Sequence, residues 1–135
     1  MNVLVDTCVW SLALRRKKNA QDAVVKELDE LISESRAQLI GPIRQELLSG
    51  IKNKKQFDAL KDALRAFPDL AIRVEDYECA AEFFTKCRRN GIQGSNTDFL
   101  ICAAAYRMNT AIFTVDQDFA LFREHLPLTL YKGRY

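Results

Sequence analysis

The sequence has one histidine, and no Cys-x-x-Cys pair occurs among its four cysteines. The lone His125 falls near the end of a short helical pattern, where it answers a helix dipole better than a substrate. A Ser–His–Asp scheme therefore finds no support. The missing paired-cysteine motif argues against a zinc ribbon or a thioredoxin-like site. Cys79 and Cys87 share a helical pattern, separated by roughly 12 Å along its axis, too far for a bridge. With Cys8 and Cys102 they read as small thiols in a reducing, cytoplasmic setting. No apolar run approaches the ~20 residues that cross a bilayer. No basic segment leads into a long apolar stretch, so neither a membrane anchor nor a signal peptide is expected. Repeats and low-complexity tracts are absent. Net charge is only +2, too mild to argue for nucleic acid by itself.

What remains is an ordinary globular balance, with 48% hydrophobic and 28% charged residues. The length fits one domain spanning 1–135, able to bury roughly two thirds of its unfolded surface. Apolar runs at 2–6, 38–41, 70–74, 111–115 and 128–131 read as strands. The first is a continuous valine-rich run, suited to a central parallel strand covered on both faces. Helical periodicity predicts helices over 20–36, 42–50, 53–67, 75–90, 95–109 and 116–125. Gly41-Pro42, Pro68 and Asn90-Gly91 punctuate them. Alternating strands and helices define a three-layer α/β/α domain with a mostly parallel central sheet.

Asp6 follows the apolar first strand, where a solvated side chain is hardest to explain. In parallel α/β domains, strand C-termini and helix N-termini share the edge that binds ligands. Asp6 falls on that edge. So do Glu46, early in the helix after the second strand, Asp98, in the first turn of the helix opening at Ser95, and Asp116, after the AIFTV strand. Each has a local explanation: Asp98 as half of a capping box with Ser95, Asp116 as a helix cap, Glu46 as a solvated helix residue. On one edge together they favour a site. Four crowded carboxylates repel one another, and Mg²⁺, with Mn²⁺ able to substitute, relieves that repulsion through oxygen ligands. The chemistry that follows is metal-assisted phosphodiester hydrolysis.

The segments VLVDT at 3–7, PIRQELLSG at 42–50, TDFLICAAA at 97–105 and FTVDQDF at 113–119 carry a resemblance. The chain resembles the PIN-domain ribonucleases, and more closely the VapC-type toxins of bacterial toxin–antitoxin pairs. Cys102 departs from the alanine that many relatives have, and its small size should still let the helix pack closely. The resemblance implies Asp6, Glu46, Asp98 and Asp116 as catalytic, metal-binding acids. It also implies an endoribonuclease acting on tRNA or mRNA, a VapB-like antitoxin partner and a homodimer. Thr7 and Thr114 could orient the carboxylates by hydrogen bonds. Arg15, Arg16, Arg88 and Arg89 are candidate RNA contacts on the rim. Trp10 reads as core or partner packing ahead of base stacking, and Asp118 stays outside the core set. The competing readings are a PIN-like module that binds RNA or protein without cutting, and a phosphatase-like phosphoryl-transfer domain. The latter needs a second aspartate where Cys8 stands.

Overall fold

The computed structural model describes residues 1–14 and 22–134. Its elements run in the order β1 (Val3–Val5), α1 (Thr7–Leu14), α2 (Ala23–Ser33), β2 (Ala37–Ile40), α3 (Gly41–Ser49), α4 (Lys54–Leu64), β3 (Asp69–Leu70), α5 (Val74–Arg89), α6 (Asn96–Arg107), β4 (Ala111–Phe113) and α7 (Asp118–Arg123). The strands form a four-stranded parallel sheet in the order β3-β2-β1-β4. With its covering helices this is the expected three-layer α/β/α architecture. All three residues of β1 are buried, as a central strand covered on both faces requires.

The helices start where local chemistry supplies a cap. The Asp22 carboxylate accepts from the Val24 N–H at 2.7 Å, and the Asn53 side chain accepts from the Gln56 N–H at 3.0 Å. Pro42 occupies the first turn of α3, where its missing N–H costs nothing. α2 buries Val25, Leu28 and Leu31, and α4 buries Leu60 and Leu64, each at helical spacing.

Several boundaries differ from the sequence reading. The element at Thr7–Leu14 is a helix that hydrophobic periodicity did not reveal, because its apolar residues resume only two positions after β1, past Asp6 and Thr7. It begins on Asp6, whose carbonyl accepts from the Val9 and Trp10 N–H groups at 3.1 and 3.3 Å. The strand expected over 70–74 is the two-residue β3, because Ala71 to Arg73 turn away to start α5. The strand expected over 128–131 amounts to one parallel bridge between Ile112 and Leu130. In α5 the buried residues are Asp76, Ala80, Phe83 and Cys87; of the stripe Tyr77, Ala80, Ala81, Phe84 and Cys87 that helical spacing suggests, Ala80 and Cys87 are buried, Phe84 is half-buried, and Tyr77 and Ala81 are exposed. The buried residue that no apolar pattern marks is Asp76. Its carboxylate, 1% exposed, closes the N-terminal turn by accepting from the Arg73 N–H at 2.9 Å and accepts from Arg107 Nε on α6 at 2.7 Å.

Arg44 locks the other side of the sheet. From α3 it donates to the Leu64 carbonyl at 3.0 Å, to the Phe67 carbonyl, and to Asp69 at 2.9 Å. One guanidinium thereby satisfies the carbonyl end of α4 and anchors β3. Trp10 is 4% exposed, donates its indole N–H to the Val5 carbonyl at 3.1 Å and packs edge-on against Phe67. It is a core residue. The four cysteines are free thiols, and Cys102 is fully buried in α6, so close packing survives the exchange. Among the described residues, no helix is long and apolar enough to cross a membrane.

The Asp76–Arg107 pair ties the first turn of α5 to the last turn of α6. Burial alone would raise the Asp76 carboxyl, but the Arg107 and Arg73 hydrogen bonds and their charges outweigh it and hold the group below its usual range. A depressed carboxyl contributes stability above the unfolded value of about 3.9 and loses it as pH falls through the folded value. Asp76→Asn should therefore destabilise the fold at neutral pH by about 1.5–3 kcal/mol, with the deficit shrinking toward acid. Urea midpoints measured at pH 7 and near pH 3 check this, and an equal deficit at both would contradict it.

Candidate functional site

The strand order places a switch point between β1 and β4. From β1 the chain crosses to β2 on one side, while β4 leads on to the Leu130 bridge on the other. Crevices outside the carboxyl ends of two such strands are the ligand sites of parallel α/β folds. The register fixes what meets there. Val5 lies opposite Phe113, so Asp6 lies opposite Thr114, and the Asp6 N–H donates to the Phe113 carbonyl at 2.9 Å.

Asp6 is 5% exposed. It accepts from the Thr7 N–H at 2.8 Å, the Thr114 hydroxyl at 2.8 Å and the Cys8 thiol at 3.3 Å. The first of these is the opening N–H of α1, so the carboxylate also sits on a helix N-terminus. Burial nevertheless dominates and pushes the Asp6 carboxyl above its usual range. The Thr114, Cys8 and Thr7 hydrogen bonds oppose the rise, and the charge of Asp98 adds to it. The two threonines extend the network. Thr7 Oγ1 donates to Glu46 Oε1 at 2.8 Å, linking exposed Glu46 of α3 to the strand end. Thr114 Oγ1 accepts from the Asp116 N–H at 3.0 Å, and Asp116 in turn accepts from the Asp118 N–H at 2.9 Å.

Asp98 arrives on α6. Ser95 and Asp98 form the reciprocal box anticipated from the sequence, at 3.0 and 3.1 Å. The Asp98 carboxyl is also raised, first by burial and then by the charges of Asp116 and Asp118, against the Ser95 hydrogen bonds. The acids from β1, α6 and the β4 turn thus feel one another's fields. Glu46 joins through Thr7.

Each carboxylate is nonetheless engaged with a partner of its own. Among the described residues, no three His, Cys, Asp or Glu side chains meet in a group that could hold a metal ion. Asp6, Asp98 and Asp116 act on one another through their charges without forming, among the described residues, the shared four-carboxylate group expected from the sequence. The donor set still suits a hard divalent cation. It is all carboxylate oxygen, and Asp6 and Asp98 are raised in part by neighbouring negative charge, which a cation would offset. The residues that would hold such an ion are Asp6 and Asp98, with Asp116 beside them.

The sequence reading missed Cys8 as a member of the site. Its sulfur touches Asp6, lies 3.4 Å from Thr114 Oγ1 and accepts from the Val115 N–H at 3.4 Å. Its position two residues after a strand-ending aspartate was the available signal. Arg88 and Arg89 lie in the last turn of α5. This turn adjoins the start of α6, because Phe84 packs on Phe99 with ring centroids 5.5 Å apart. Arg15 and Arg16 lie outside the described residues.

The fold is a three-layer α/β/α domain with a parallel sheet and hydrogen-bonded acids at its switch point. The chain belongs to the PIN domain family, whose profile matches residues 3–124. Members of that family are generally nucleases that use divalent metals. Among solved structures, FitAcB from Neisseria gonorrhoeae is similar at TM-score 0.76 and 24% identity, covering 96% of each chain. VapBC2 from Rickettsia felis, bound to a DNA fragment from its promoter, is similar at 0.75 and 20%, covering 97% of this chain and 98% of that one. VapBC-1 from nontypeable Haemophilus influenzae is similar at 0.76 and 15%, covering 98% of both. These likenesses speak to the fold. No curated protein matches the sequence.

A raised carboxyl costs stability once it ionises, so a buried Asp6 favours the fold below the unfolded value of about 3.9 and opposes it as pH rises through the folded value. Asp6→Asn removes that charge, and the Thr114 hydroxyl can turn to accept from the new amide. In metal-free protein the melting temperature of Asp6→Asn should match wild type near pH 4 and exceed it by a few degrees at pH 8. A difference that does not change with pH would contradict the raised carboxyl.

Proposed function

We propose that this protein is a divalent-metal-dependent endoribonuclease acting as the toxin of a VapBC-type toxin–antitoxin pair. The observation that carries the reading is the hydrogen-bonded series Glu46–Thr7–Asp6–Thr114–Asp116, coupled electrostatically to Asp98. It contains the acid positions that the PIN resemblance marks as functional. Similarity of fold to FitAcB and VapBC chains supports a protein antitoxin as partner.

In this reading Asp6 and Asp98 would hold a Mg²⁺ or Mn²⁺ ion, with Asp116 as a further oxygen donor. A divalent cation at this place supplies Lewis-acid charge stabilisation to the phosphodiester and lowers the pKa of a coordinated water. The chain's own groups do the positioning. Thr7 N–H and the Thr114 hydroxyl fix the orientation of Asp6. Glu46 is exposed and tethered by Thr7, so its free oxygen can accept a proton from the attacking water. The basic last turn of α5 draws the RNA backbone toward an otherwise negative edge.

A second reading, a PIN-like module that binds RNA without cutting it, draws on the open arrangement of the acids, none of which meet three at a time among the described residues. One experiment separates the two. Purified protein should cleave RNA with Mg²⁺ or Mn²⁺, stop with EDTA, and fall by at least about 10²-fold in Asp6→Asn, the scale of a lost electrostatic group in a catalytic site. RNA binding with no cleavage under any divalent cation would favour the non-catalytic module. In cells, induction of the wild-type chain alone should arrest growth and Asp6→Asn should not. Harmless overexpression without an antitoxin present would remove the toxin assignment.

A further inference from the structure

A second concavity opens beside the acidic edge. Phe84, Arg88, Ile92, Gln93, Gly94 and Phe99 line a cavity of about 260 Å³ between the end of α5 and the start of α6. Its floor is aromatic. Phe84 packs on Phe99 at 5.5 Å between centroids, and Phe99 on Phe122 at 4.8 Å. Its wall is held in place by Gly94, where a Cβ would lie 2.6 Å from the Phe122 ring and 3.0 Å from that of Phe99. Only glycine lets the loop lie so close, so the cavity is built by packing and does not depend on a ligand to form.

The rim is polar. Arg88 and Gln93 are both exposed, and among the described residues neither has an ion-pair or side-chain hydrogen-bond partner. They contrast with Arg44, Arg107 and Arg134, which are committed to carboxylates. Lys86, Arg88 and Arg89 make the last turn of α5 basic. An apolar aromatic floor, one free amide and one free guanidinium are the elements that recognise a nucleobase and its adjoining phosphate in a single strand. The place matters as much as the chemistry. Phe99 in the floor directly follows Asp98, and successive helix residues diverge by roughly 100°. The same turn of α6 therefore presents Asp98 to the acidic edge and Phe99 to the cavity.

We propose that this cavity is a base-binding subsite. It takes the base of a nucleotide neighbouring the scissile phosphate of a single RNA strand. Gln93 reads the edge of that base, Phe84 contacts its face, and Arg88 pairs with the adjoining phosphate. The inference rests on the nuclease reading above and assigns its sequence preference to residues outside the acidic set.

The test uses the full chain with Mg²⁺ and a randomised single-stranded RNA oligonucleotide pool, with cut sites mapped by sequencing. Wild type is compared with Gln93→Ala and Arg88→Gln, and Asp6→Asn serves as the blank. Both altered side chains are exposed, and unchanged melting temperatures confirm intact folds. Gln93→Ala should flatten the preference at one position next to the cut, with kcat/KM on the best wild-type sequence falling about five- to a hundredfold and poor sequences little affected. Arg88→Gln should slow all sequences together and lower the slope of log kcat/KM against log salt by about one. If wild type cuts, Asp6→Asn is silent, and both variants keep the wild-type preference and salt slope, the subsite is overturned and the nuclease stands. If wild type cuts nothing in the pool, the nuclease reading falls and the subsite falls with it.

Discussion

The structure turns on one buried charge. Asp6 ends the central strand of a parallel sheet at 5% exposure, where an unpaired carboxylate would be expensive. Three donors meet it, and each comes from a different structural commitment. The Thr7 N–H exists as a free donor because α1 starts at that residue. The Thr114 hydroxyl is in reach because β4 pairs with β1 in the register that sets Val5 against Phe113. The Cys8 thiol returns to the strand end because the first turn of α1 is helical. A slip of one residue between β1 and β4 would turn Thr114 to the other face and leave Asp6 short of a partner. Helix start, strand register and site geometry are thus one constraint.

That constraint explains why the remaining acids stand where they do. Thr7 and Thr114 each spend a second interaction on another carboxylate-bearing segment, Glu46 on one side and the Asp116 turn on the other. Asp98 is delivered separately by α6, and the aromatic contacts Phe84–Phe99, Phe99–Phe122 and Phe119–Phe122 join that helix to α5 and α7. Phe119 lies three residues after Asp116, so the same cluster that seats Asp98 also fixes the turn beyond β4. The core and the acidic edge are joined through these rings.

Much of this was legible from residue types. A valine-rich run ending in aspartate, Pro42 at a helix start and the Ser95–Asp98 spacing each name a local physical event, and each appears as such in the structure. What was not legible has a physical reason in every case. α1 was hidden because its apolar residues resume only two positions after β1, and only Asp6 and Thr7 between them mark a change of period. The buried face of α5 was legible only in part, through Ala80 and Cys87, because its first member is a charge. Inside the fold Asp76 is met by the local Arg73 N–H and by Arg107, far along the chain, and no local pattern announces the second partner. The role of Cys8 depended on a strand pairing 106 residues away.

The distribution of positive charge separates fold from function. Arg134 answers Glu27 and Glu30 of α2 and Glu34 just beyond its end, Arg107 answers Asp76, and Arg44 answers Asp69. These cations are spent on holding segments together, and Tyr131 adds a hydrogen bond to the buried Glu27. The cations in the last turn of α5, with no such partner among the described residues, stand next to the helix start that carries Asp98. Negative groups held apart at the sheet edge, with free cations beside them, make a field that repels a polyanion at the centre and attracts it at the rim. Burial is the main cause that raises the Asp6 and Asp98 carboxyls, and neighbouring acids add to it: Asp98 acts on Asp6, and Asp116 and Asp118 act on Asp98.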